Sequence, residues 1–534
     1  MVASRANAAI FAAVVVCFAA VIFQSSYISA TQANADGQVP TFRSESRMVL
    51  IDVLVTDRHG NPVLGLKPQD FTLTDDGTRQ SLSGFEEHQK ATPNNRPPLF
   101  VPDKNAVTNW IAPPATGAVN IIVFDTLNTT VVDKMRARQQ MLKCLSTLPP
   151  GQQVALFTLG TSLRMVQDFT TNSGVLIAAA RKISTGPAPL SPTGQNTFFA
   201  DDLSSSSQTE TETMDLRVAY TLDALRDLAR ATASLPGRKN VIWLTTGFPI
   251  KMDEPNRRLA EAQLIRERDY SDQIRKAAAM LASMQIALYP VDVNGLLADA
   301  ARGPTREALL NQRDTLVALA EETGGRAYYD RNDLDEEIAR VLTTDSNYYT
   351  LAYSPRIKWD GSYHKVNVKM VAKDVEVTYR RGYYALGDSP LTEQQASRVL
   401  GEVLGLDVIN SRMIVLAAQI SRPEASSQQV QIECNIDPST LVLDETAQGT
   451  KSAALAIGAT VWDAHKRKVA DVAKRVHPVL TSDELAVART SGVPWALNVV
   501  VGPGTYTLKV AVVDLKSGKT GSLSIPLEVN GPKR

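Results

Sequence analysis

The sequence predicts an α/β fold: a doubly wound, mostly parallel sheet inserted in a β module and followed by a C-terminal β-sandwich. Three observations predict it. Between residues 117 and 345, apolar strand patterns alternate with helical patterns, which implies a parallel sheet covered by helices. The segments on either side of this region alternate apolar and polar residues, as antiparallel strands do. From about residue 408, a run of strands separated by turn signals fits a sandwich.

The first residues, 1–35, are predicted to be a signal peptide. A basic residue precedes an apolar run that is shorter than the roughly 20 residues of a spanning helix, and the small residues Ala33 and Ala35 follow it. We expect cleavage to leave Asp36 or, as the second choice, Thr31 at the mature N-terminus, which N-terminal sequencing would check. The alternative is an uncleaved membrane anchor. The protein is therefore expected to be exported, to a periplasmic, cell-envelope or extracellular location.

The regions that flank the α/β part are predicted to be β-rich. Residues 40–90 alternate apolar and polar side chains between "HGNP" and "DDGT" turns, which indicates a small antiparallel module. A Pro- and Asn-rich stretch follows it, which is predicted to be a linker, 91–116, or an irregular excursion. A β extension at 346–387 is expected to pair with the first module across the inserted domain. A helical linker at 388–407 then leads to the sandwich, 408–530.

The inserted region, 117–345, carries the clearest strand and helix patterns. Its predicted strands are "VNIIVF", "QVALFTL", "NVIWLT" and "IALYPV", whose unbroken apolar character is typical of strands buried on both faces. Its predicted helices include Thr130–Ser146, Met214–Leu235 and one that ends at Gly324. In the first of these helices, the predicted apolar face consists of Val131, Met135, Leu142 and Leu145.

Charge and cysteine content exclude two classes of protein. The 56 basic and 56 acidic residues balance, so no electrostatic field favours a nucleic-acid partner. Cys17 lies in the signal peptide, and Cys144 and Cys434 fall in different predicted domains, so no disulfide framework is expected.

Polar residues stand at the ends of three predicted strands. Asp125 ends the first strand, the Thr245–Gly247 segment ends the third, and Asp292 ends the fourth. In a doubly wound sheet, ligands bind beyond the carboxyl ends of the strands. These three loops are therefore expected to meet at one rim of the sheet.

The segments "NIIVFDTLNT", "GRKNVIWLTTGFP", "ALYPVDVNG" and "GGRAYY" resemble a von Willebrand factor type A domain. The resemblance is greater to the acidobacterial branch of that family, in which a small β module precedes the domain and a sandwich follows it. The resemblance implies a metal-ion-dependent adhesion site. Such a site uses Asp-x-Ser-x-Ser after the first strand, a threonine from a second loop, an aspartate after the fourth strand and a carboxylate from a protein partner.

This chain departs from that pattern. Asp125 and Thr129 match as metal ligands, whereas Leu127 stands at the first serine and Thr246 at the second aspartate. Because each lost oxygen weakens the hold on a hard cation, we expect a degenerate site with no resident cofactor; weak Mg²⁺ or Ca²⁺ binding is the alternative. The second-loop threonine could be Thr209, Thr211 or Thr213.

Asp125 also has a plain structural interpretation. Asp125 or Asn128 could cap the helix that begins near Thr130, which is a common role for these residue types.

A long Ser/Thr/Pro-rich segment before Met214 contains Phe198 and Phe199. Such a segment is either mobile or functional, and the two rings could act as exposed anchors for a partner. The complete predicted partner-binding set is Asp125, Thr129, Phe198, Phe199, Thr246 and Asp292.

The favoured function is non-enzymatic protein binding of the adhesion type, with membrane contact only through an uncleaved anchor. A hydrolase that uses the carboxylates of Asp125 and Asp292 is one alternative, and a purely architectural envelope protein is another. All five histidines lie outside the predicted α/β domain, which leaves its rim without an imidazole for acid–base chemistry or zinc. The sequence also lacks a nucleophile-elbow motif and a phosphate-cradling loop.

Overall fold

The computed structural model describes residues 48–89, 106–110, 118–148, 151–186, 207–248, 251–252, 268–294, 306–329, 334–343, 347–387, 390–421, 428–446 and 448–530. The predicted signal peptide and the residues Phe198 and Phe199 lie outside these ranges.

The first part of the described chain is a small β module. Its strands are β1 (Val49–Asp57), β2 (Phe71–Asp75), β3 (Thr78–Arg79) and β4 (Gly84–His88). β2 and β3 form a tight hairpin, whose turn residues Asp76 and Gly77 both have positive φ angles, of 46° and 80°. Glycine adopts that conformation without cost, and aspartate tolerates it better than most residues. A short strand, β5 (Val107–Thr108), follows within the predicted linker.

The α/β region comes next. Its elements, in order, are β6 (Val119–Asp125), α1 (Val131–Ser146), β7 (Val154–Leu159), β8 (Leu163–Thr170), α2 (Ser173–Arg181), α3 (Ser207–Thr232), β9 (Lys239–Thr245), β10 (Lys251–Met252), β11 (Arg268–Asp269), α4 (Ser271–Ser283), β12 (Ile286–Asp292), α5 (Arg306–Thr323) and α6 (Leu334–Thr343). The main sheet has the order β12-β9-β6-β7-β8. Its first four strands are parallel and correspond to the four predicted strands, while β8 runs antiparallel to β7 at the edge.

Helices pack on both faces of this sheet. Ile121 and Val123 of β6 belong to a hydrophobic cluster with side chains from α3, α4 and α5. Ile122 and Phe124, which alternate with them, belong to a second cluster with side chains from α1, α2 and α6. Because successive strand residues point to opposite faces, both faces of β6 are covered, which explains its unbroken apolar sequence.

The apolar face predicted for α1 is wrong in its first half. Val131 and Met135 are exposed, Leu142 is half-buried, and of the four predicted residues only Leu145 is fully buried. The buried face of α1 comprises Lys134, Ala137, Met141, Cys144 and Leu145. A lysine thus occupies a position that periodicity assigns to an apolar residue.

After the α/β region, the chain returns to the first module. It forms β13 (Tyr348–Tyr353), β14 (Tyr363–Met370), β15 (Val375–Tyr379) and β16 (Gly382–Tyr384). β1 lies between β13 and β15, and β14 pairs with β2, all antiparallel. The predicted pairing of the β extension with the first module is therefore present, and the two segments share one hydrophobic cluster.

The remaining elements are α7 (Glu393–Val403), β17 (Leu416–Ser421), β18 (Gln429–Ile436), β19 (Asp444–Glu445), β20 (Lys451–Ser452), β21 (Leu455–Asp463), β22 (Lys468–Val476), β23 (Val479–Leu480), α8 (Ser482–Ser491), β24 (Val493–Val500), β25 (Gly504–Asp514) and β26 (Thr520–Val529). Two four-stranded antiparallel sheets, β24-β18-β17-β5 and β22-β21-β25-β26, contribute side chains to one cluster. Leu400 and Val403 of α7 pack with β21 and β25 in a smaller cluster, so α7 is more than a connection.

The prediction that 91–116 is only a linker is wrong for residues 106–110. β5 pairs with β17 at the edge of the C-terminal sheet. Asn109 beside it is buried, and its amide group donates to the carbonyl oxygens of Ser411 and Ile414 and accepts from the backbone N–H of Leu416, at 2.8–2.9 Å. Five residues are too short a segment for periodicity to reveal such a strand.

None of the helices within the described ranges is both long enough and apolar enough to cross a membrane.

Candidate functional site

Asp125 lies at the end of β6, fully buried, and its carboxylate accepts four hydrogen bonds. Oδ1 accepts from the backbone N–H groups of Leu127 and Asn128, at 2.9 and 2.8 Å. Oδ2 accepts from the side-chain amide of Asn128 at 2.9 Å and from the Thr245 hydroxyl at 2.7 Å. An ionised carboxylate offers about four acceptor sites. Hydrogen bonds from the chain itself therefore occupy the oxygen lone pairs that a cation would need.

Asn128 connects three elements around this carboxylate. Its amide nitrogen also donates to the hydroxyl of Thr221 on α3, at 2.9 Å. Its backbone oxygen accepts from the hydroxyl of Thr246, after β9, at 2.6 Å. From the sequence, Asn128 is considered only as a helix cap. The only sequence signal for its connecting role is that an amide residue stands three positions after Asp125. Asn128 therefore links the end of β6, helix α3 and the segment after β9.

The predicted cap of α1 is wrong. The N-cap is Thr130, whose hydroxyl oxygen accepts from the backbone N–H of Asp133 at 3.3 Å and donates to its carboxylate at 2.6 Å. The side chains of Asp125 and Asn128 instead make hydrogen bonds with polar groups in and around the loop before the helix.

Leu127 and Thr129 occupy the two positions that the adhesion motif gives to hydroxyl residues. The Leu127 side chain is buried in the hydrophobic cluster between the sheet and α3. Thr129 is buried too, and its hydroxyl makes no hydrogen bond within the described part of the chain. One position has thus become part of the core, while the other keeps a hydroxyl.

The choice of second-loop threonine among Thr209, Thr211 and Thr213 stays a prediction. The side chains of Thr209 and Thr211 lie outside the described residues, and Thr213 is half-buried on α3. The α3 threonine that contacts Asn128 is Thr221, which also donates to the backbone oxygen of Arg217 at 2.8 Å. Its place two helical turns after the predicted candidates could not be read from the sequence.

Asp292 ends β12, which is separated from β6 by β9, and it lies level with Asp125 along the strands. Strand register aligns Asp292 with Thr245 and Phe124 with Leu244. Two strand spacings therefore separate the Cα atoms of Asp125 and Asp292 by about 10 Å. Asp292 is buried, accepts a hydrogen bond from the backbone N–H of Asn294 at 2.9 Å and pairs with Arg313 at 3.6 Å. The structure brings Asp125, Thr129 and Thr246 to one loop cluster, while Asp292 belongs to a neighbouring one.

Two cations, the buried Lys134 and the half-buried Arg217, interact with the charge of Asp125. Burial raises the pKa of Asp125, while its hydrogen bonds with Asn128 lower it. Burial lowers the pKa of Lys134 on α1 and that of Arg217 on α3, and the charge of Asp125 raises both. The Lys134 ammonium also donates to the backbone oxygen of Gly186 at 3.0 Å. Side chains from two helices thus place positive charge near Asp125.

An exposed apolar patch lies beside this loop. Val131, Val132 and Met135 on the first turns of α1 are 40%, 62% and 49% exposed, and together they are called the rim patch. Next to it, Arg136 donates to the backbone oxygen of Asn294 at 2.9 Å, which places the start of α1 beside the loop after β12. The start of α1 therefore presents three exposed apolar side chains beside the exposed Arg136.

The described residues also include two free cysteines and a large cleft. Cys144 and Cys434 are free and buried, as expected, and burial raises the pKa of the Cys144 thiol to about 12. A cleft of about 1080 Å³ lies between α4, α5, β14 and β15, and within the described residues none of the predicted site residues lines it.

No protein-family model matches the chain, and no curated protein sequence matches it. Solved structures that resemble it include an aerotolerance-related membrane protein from Bacteroides fragilis, 13% identical, covering 42% of this chain and 98% of that one, with a TM-score of 0.27. A von Willebrand factor type A protein from Catenulispora acidiphila is 10% identical and covers 84% of this chain and 73% of that one, with a TM-score of 0.25.

A third is the von Willebrand factor domain of the type V pili tip protein Mfa5 from Porphyromonas gingivalis. It is 11% identical and covers 42% of this chain and 94% of that one, with a TM-score of 0.24. Likenesses at these scores carry no argument about what this chain does.

Proposed function

We propose that the protein is an exported, non-enzymatic interaction protein, in which a type A-like domain with a doubly wound sheet binds a protein partner through the rim. A β-sandwich forms its C-terminal part. Its envelope or extracellular location rests on the signal-like segment at residues 1–35. Its adhesion site is degenerate and works without a resident ion.

The rim patch is the observation that carries this proposal. Val131, Val132 and Met135 form a contiguous apolar surface at the edge where ligands of such sheets bind. Exposed apolar side chains grouped together favour contact with another protein, whereas single ones are ordinary. Phe198 and Phe199 stay predicted anchors, because they lie outside the described residues.

The state of the carboxylates supports binding over hydrolysis. Asp125 is saturated with donors, and Asp292 is buried and paired with Arg313. A general acid or base must reach the proton that it transfers. Neither carboxylate is presented to a substrate in this arrangement, so we favour the binding function over the hydrolase.

The test of the rim patch uses the mature chain as bait in envelope extract of the source cells. The double change Val132→Gln with Met135→Gln should weaken capture of the partner by more than about 1 kcal/mol, because interface energy concentrates in a few anchors. The matched control is Val487→Gln on α8, whose side chain is 65% exposed. Thermal unfolding should be unchanged in both variants, since the replaced side chains are exposed.

Equal capture by the rim variant and the control would exclude the rim patch as the binding surface. Absence of any specific captured protein would favour the architectural alternative.

The degenerate site is tested by calorimetry with Mg²⁺ and Ca²⁺. Because four donors occupy the Asp125 carboxylate, we expect no tight site that depends on this residue. A site of micromolar affinity or better that disappears in Asp125→Asn would contradict the proposal.

A further inference from the structure

The turn between β2 and β3 faces a histidine on β14. Asp75, Asp76 and His364 each offer one potential metal ligand, and the three ligand atoms lie within 4.8 Å of one another. These three residues are called the Asp75 cluster. They belong to the β module and are separate from the rim of the α/β sheet.

Two of these atoms are buried without a hydrogen bond. Asp75 is 3% exposed, and its Oδ1 has no hydrogen-bond partner among the described residues. The same holds for Nδ1 of His364, whose side chain is 12% exposed. A buried polar atom without a partner carries a desolvation cost, and native structures rarely leave one without a role. Oδ1 and Nδ1 lie 3.5 Å apart, so one ligand bound between them could satisfy the bonding capacity of both atoms.

A simple ion pair explains this arrangement less well. Nδ1 of His364 lies 2.9 Å from Oδ2 of Asp76, yet neither this contact nor the one to Asp75 has the geometry of a hydrogen bond. An imidazolium proton would be expected to point at one of the two carboxylates. For metal–ligand bonds of about 2.1 Å, neighbouring ligand atoms lie about 3.0 Å apart in octahedral and about 3.4 Å apart in tetrahedral geometry. The separations of 2.9 and 3.5 Å from Nδ1 to the two carboxylate oxygens lie close to these values.

Surrounding side chains hold the Asp75 carboxylate in place. Its other oxygen, Oδ2, accepts hydrogen bonds from the hydroxyls of Tyr383 and Tyr353 at 2.7 and 3.0 Å. The two donors engage Oδ2 and leave Oδ1 as the oxygen available to a cation.

The histidine and the second carboxylate are also positioned by their neighbours. The His364 ring stacks on Tyr383, with centroids 5.4 Å apart, and its Nε2 lies 3.1 Å from the Ser362 hydroxyl. Oδ1 of Asp76 accepts from the backbone N–H of Lys365 at 2.8 Å, which directs Oδ2 toward His364. Hydrogen bonds to the atoms that do not bind the metal are the usual means of orienting ligands.

We propose that the Asp75 cluster binds one divalent transition-metal ion through Oδ1 of Asp75, Oδ2 of Asp76 and Nδ1 of His364. One imidazole and two carboxylates suit Zn²⁺ better than Mg²⁺, which prefers oxygen ligands alone. The ion joins the β2–β3 turn to β14. Its binding energy therefore adds to the stability of the β module.

The test titrates Zn²⁺ into the chelator-treated mature chain by calorimetry and follows the melting temperature. We expect one ion per chain with micromolar affinity or better, and a higher melting temperature when Zn²⁺ is in excess. Mg²⁺ at the same concentration should produce neither effect.

Asp76→Asn is the sharpest variant. Asparagine tolerates the positive φ of this turn, and its carbonyl oxygen can keep the hydrogen bond from Lys365, so the change replaces only the ligating oxygen. His364→Gln removes the nitrogen ligand. Both changes should weaken Zn²⁺ binding by at least about tenfold.

The control is His465→Gln, which changes an exposed histidine in the turn between β21 and β22 and should leave binding unchanged. If the chain binds no Zn²⁺, or if Asp76→Asn binds it as tightly as the unchanged chain, the proposal is wrong. Because Asp76→Asn preserves the turn, it remains informative even if His364→Gln fails to fold.

Discussion

At the scale of single residues, Asn128 is the most consequential group at the rim. Its side-chain amide donates to Asp125 and Thr221, and its backbone oxygen accepts from Thr246, so three elements meet at one residue. The sequence predicts that Asp125 ends a buried strand, and β6 confirms this. The contacts that Asn128 makes with its neighbours could not be predicted, because asparagine is equally common in caps and turns.

Replacement of Asn128 by alanine tests this role. The change removes one donor from a buried carboxylate and one from Thr221, and we expect it to lower the free energy of unfolding by about 1–3 kcal/mol. Urea denaturation measures the loss. The control is Asn498→Ala, at an exposed position on β24, which should change stability by less than about 0.5 kcal/mol. Equal effects of the two changes would show that the bridge contributes nothing specific.

The Asp75 cluster illustrates a different limit at the same scale. Asp75 and Asp76 are adjacent in the sequence, whereas His364 lies almost three hundred residues later. Only the pairing of β2 with β14 brings them together. No sequence spacing connects the two aspartates with the histidine, so the three residues could not be recognised as a group until the strand pairing was known.

At the scale of elements, the strands were more predictable than the faces of the helices. β6, β7, β9 and β12 are unbroken apolar runs, and burial on both faces leaves little ambiguity for such runs. β8 was missed because it is an edge strand of mixed polarity. On α1, periodicity favoured Val131 and Met135, but the buried face includes Lys134, which the charge of Asp125 helps to retain.

At the scale of the whole molecule, stability should depend on pH through buried lysines. Lys239, at the start of β9, is buried and donates to the backbone oxygen of Met284 at 2.8 Å. Burial lowers its pKa to about 8, with the charge of Asp52 acting in the opposite direction. Lys509 on β25 is also buried, and burial lowers its pKa to about 8 as well.

The sign of this dependence follows from proton counting. Between about pH 8 and the ordinary lysine pKa of about 10.4, the unfolded chain holds protons that the folded chain has released. The free energy of unfolding therefore rises with pH across this window, by up to about 1.4 kcal/mol per pH unit for each lysine. Below about pH 8 both states are protonated, so this dependence vanishes.

Urea denaturation between about pH 7.5 and 9.5, below the ordinary tyrosine pKa of about 10, measures the slope. Lys239→Met should reduce it, and the exposed control Lys468→Met should leave it unchanged. A difference between the unchanged chain and Lys239→Met that is constant with pH would contradict the assignment.

The order of the domains was largely predictable, because each region has its own residue pattern. The use of residues 106–110 as part of the C-terminal sheet was not, since β5 is two residues long and its partner β17 lies three hundred residues away. Asn109 beside it makes three buried hydrogen bonds, none of which leaves a trace in local sequence.

The position of β1 between β13 and β15 has a mechanical consequence. β1 is hydrogen-bonded along both edges, to strands that come after the α/β region in the chain. Hydrogen bonds between antiparallel strands run perpendicular to the strand axis. A force that draws Met48 away along the axis of β1 therefore shears both ladders at once and must break their bonds together. A tether attached at that end would pull the module in the direction in which its strand pairing resists force most. The α/β region, which lies between β4 and β13 in the chain, would not carry the tension.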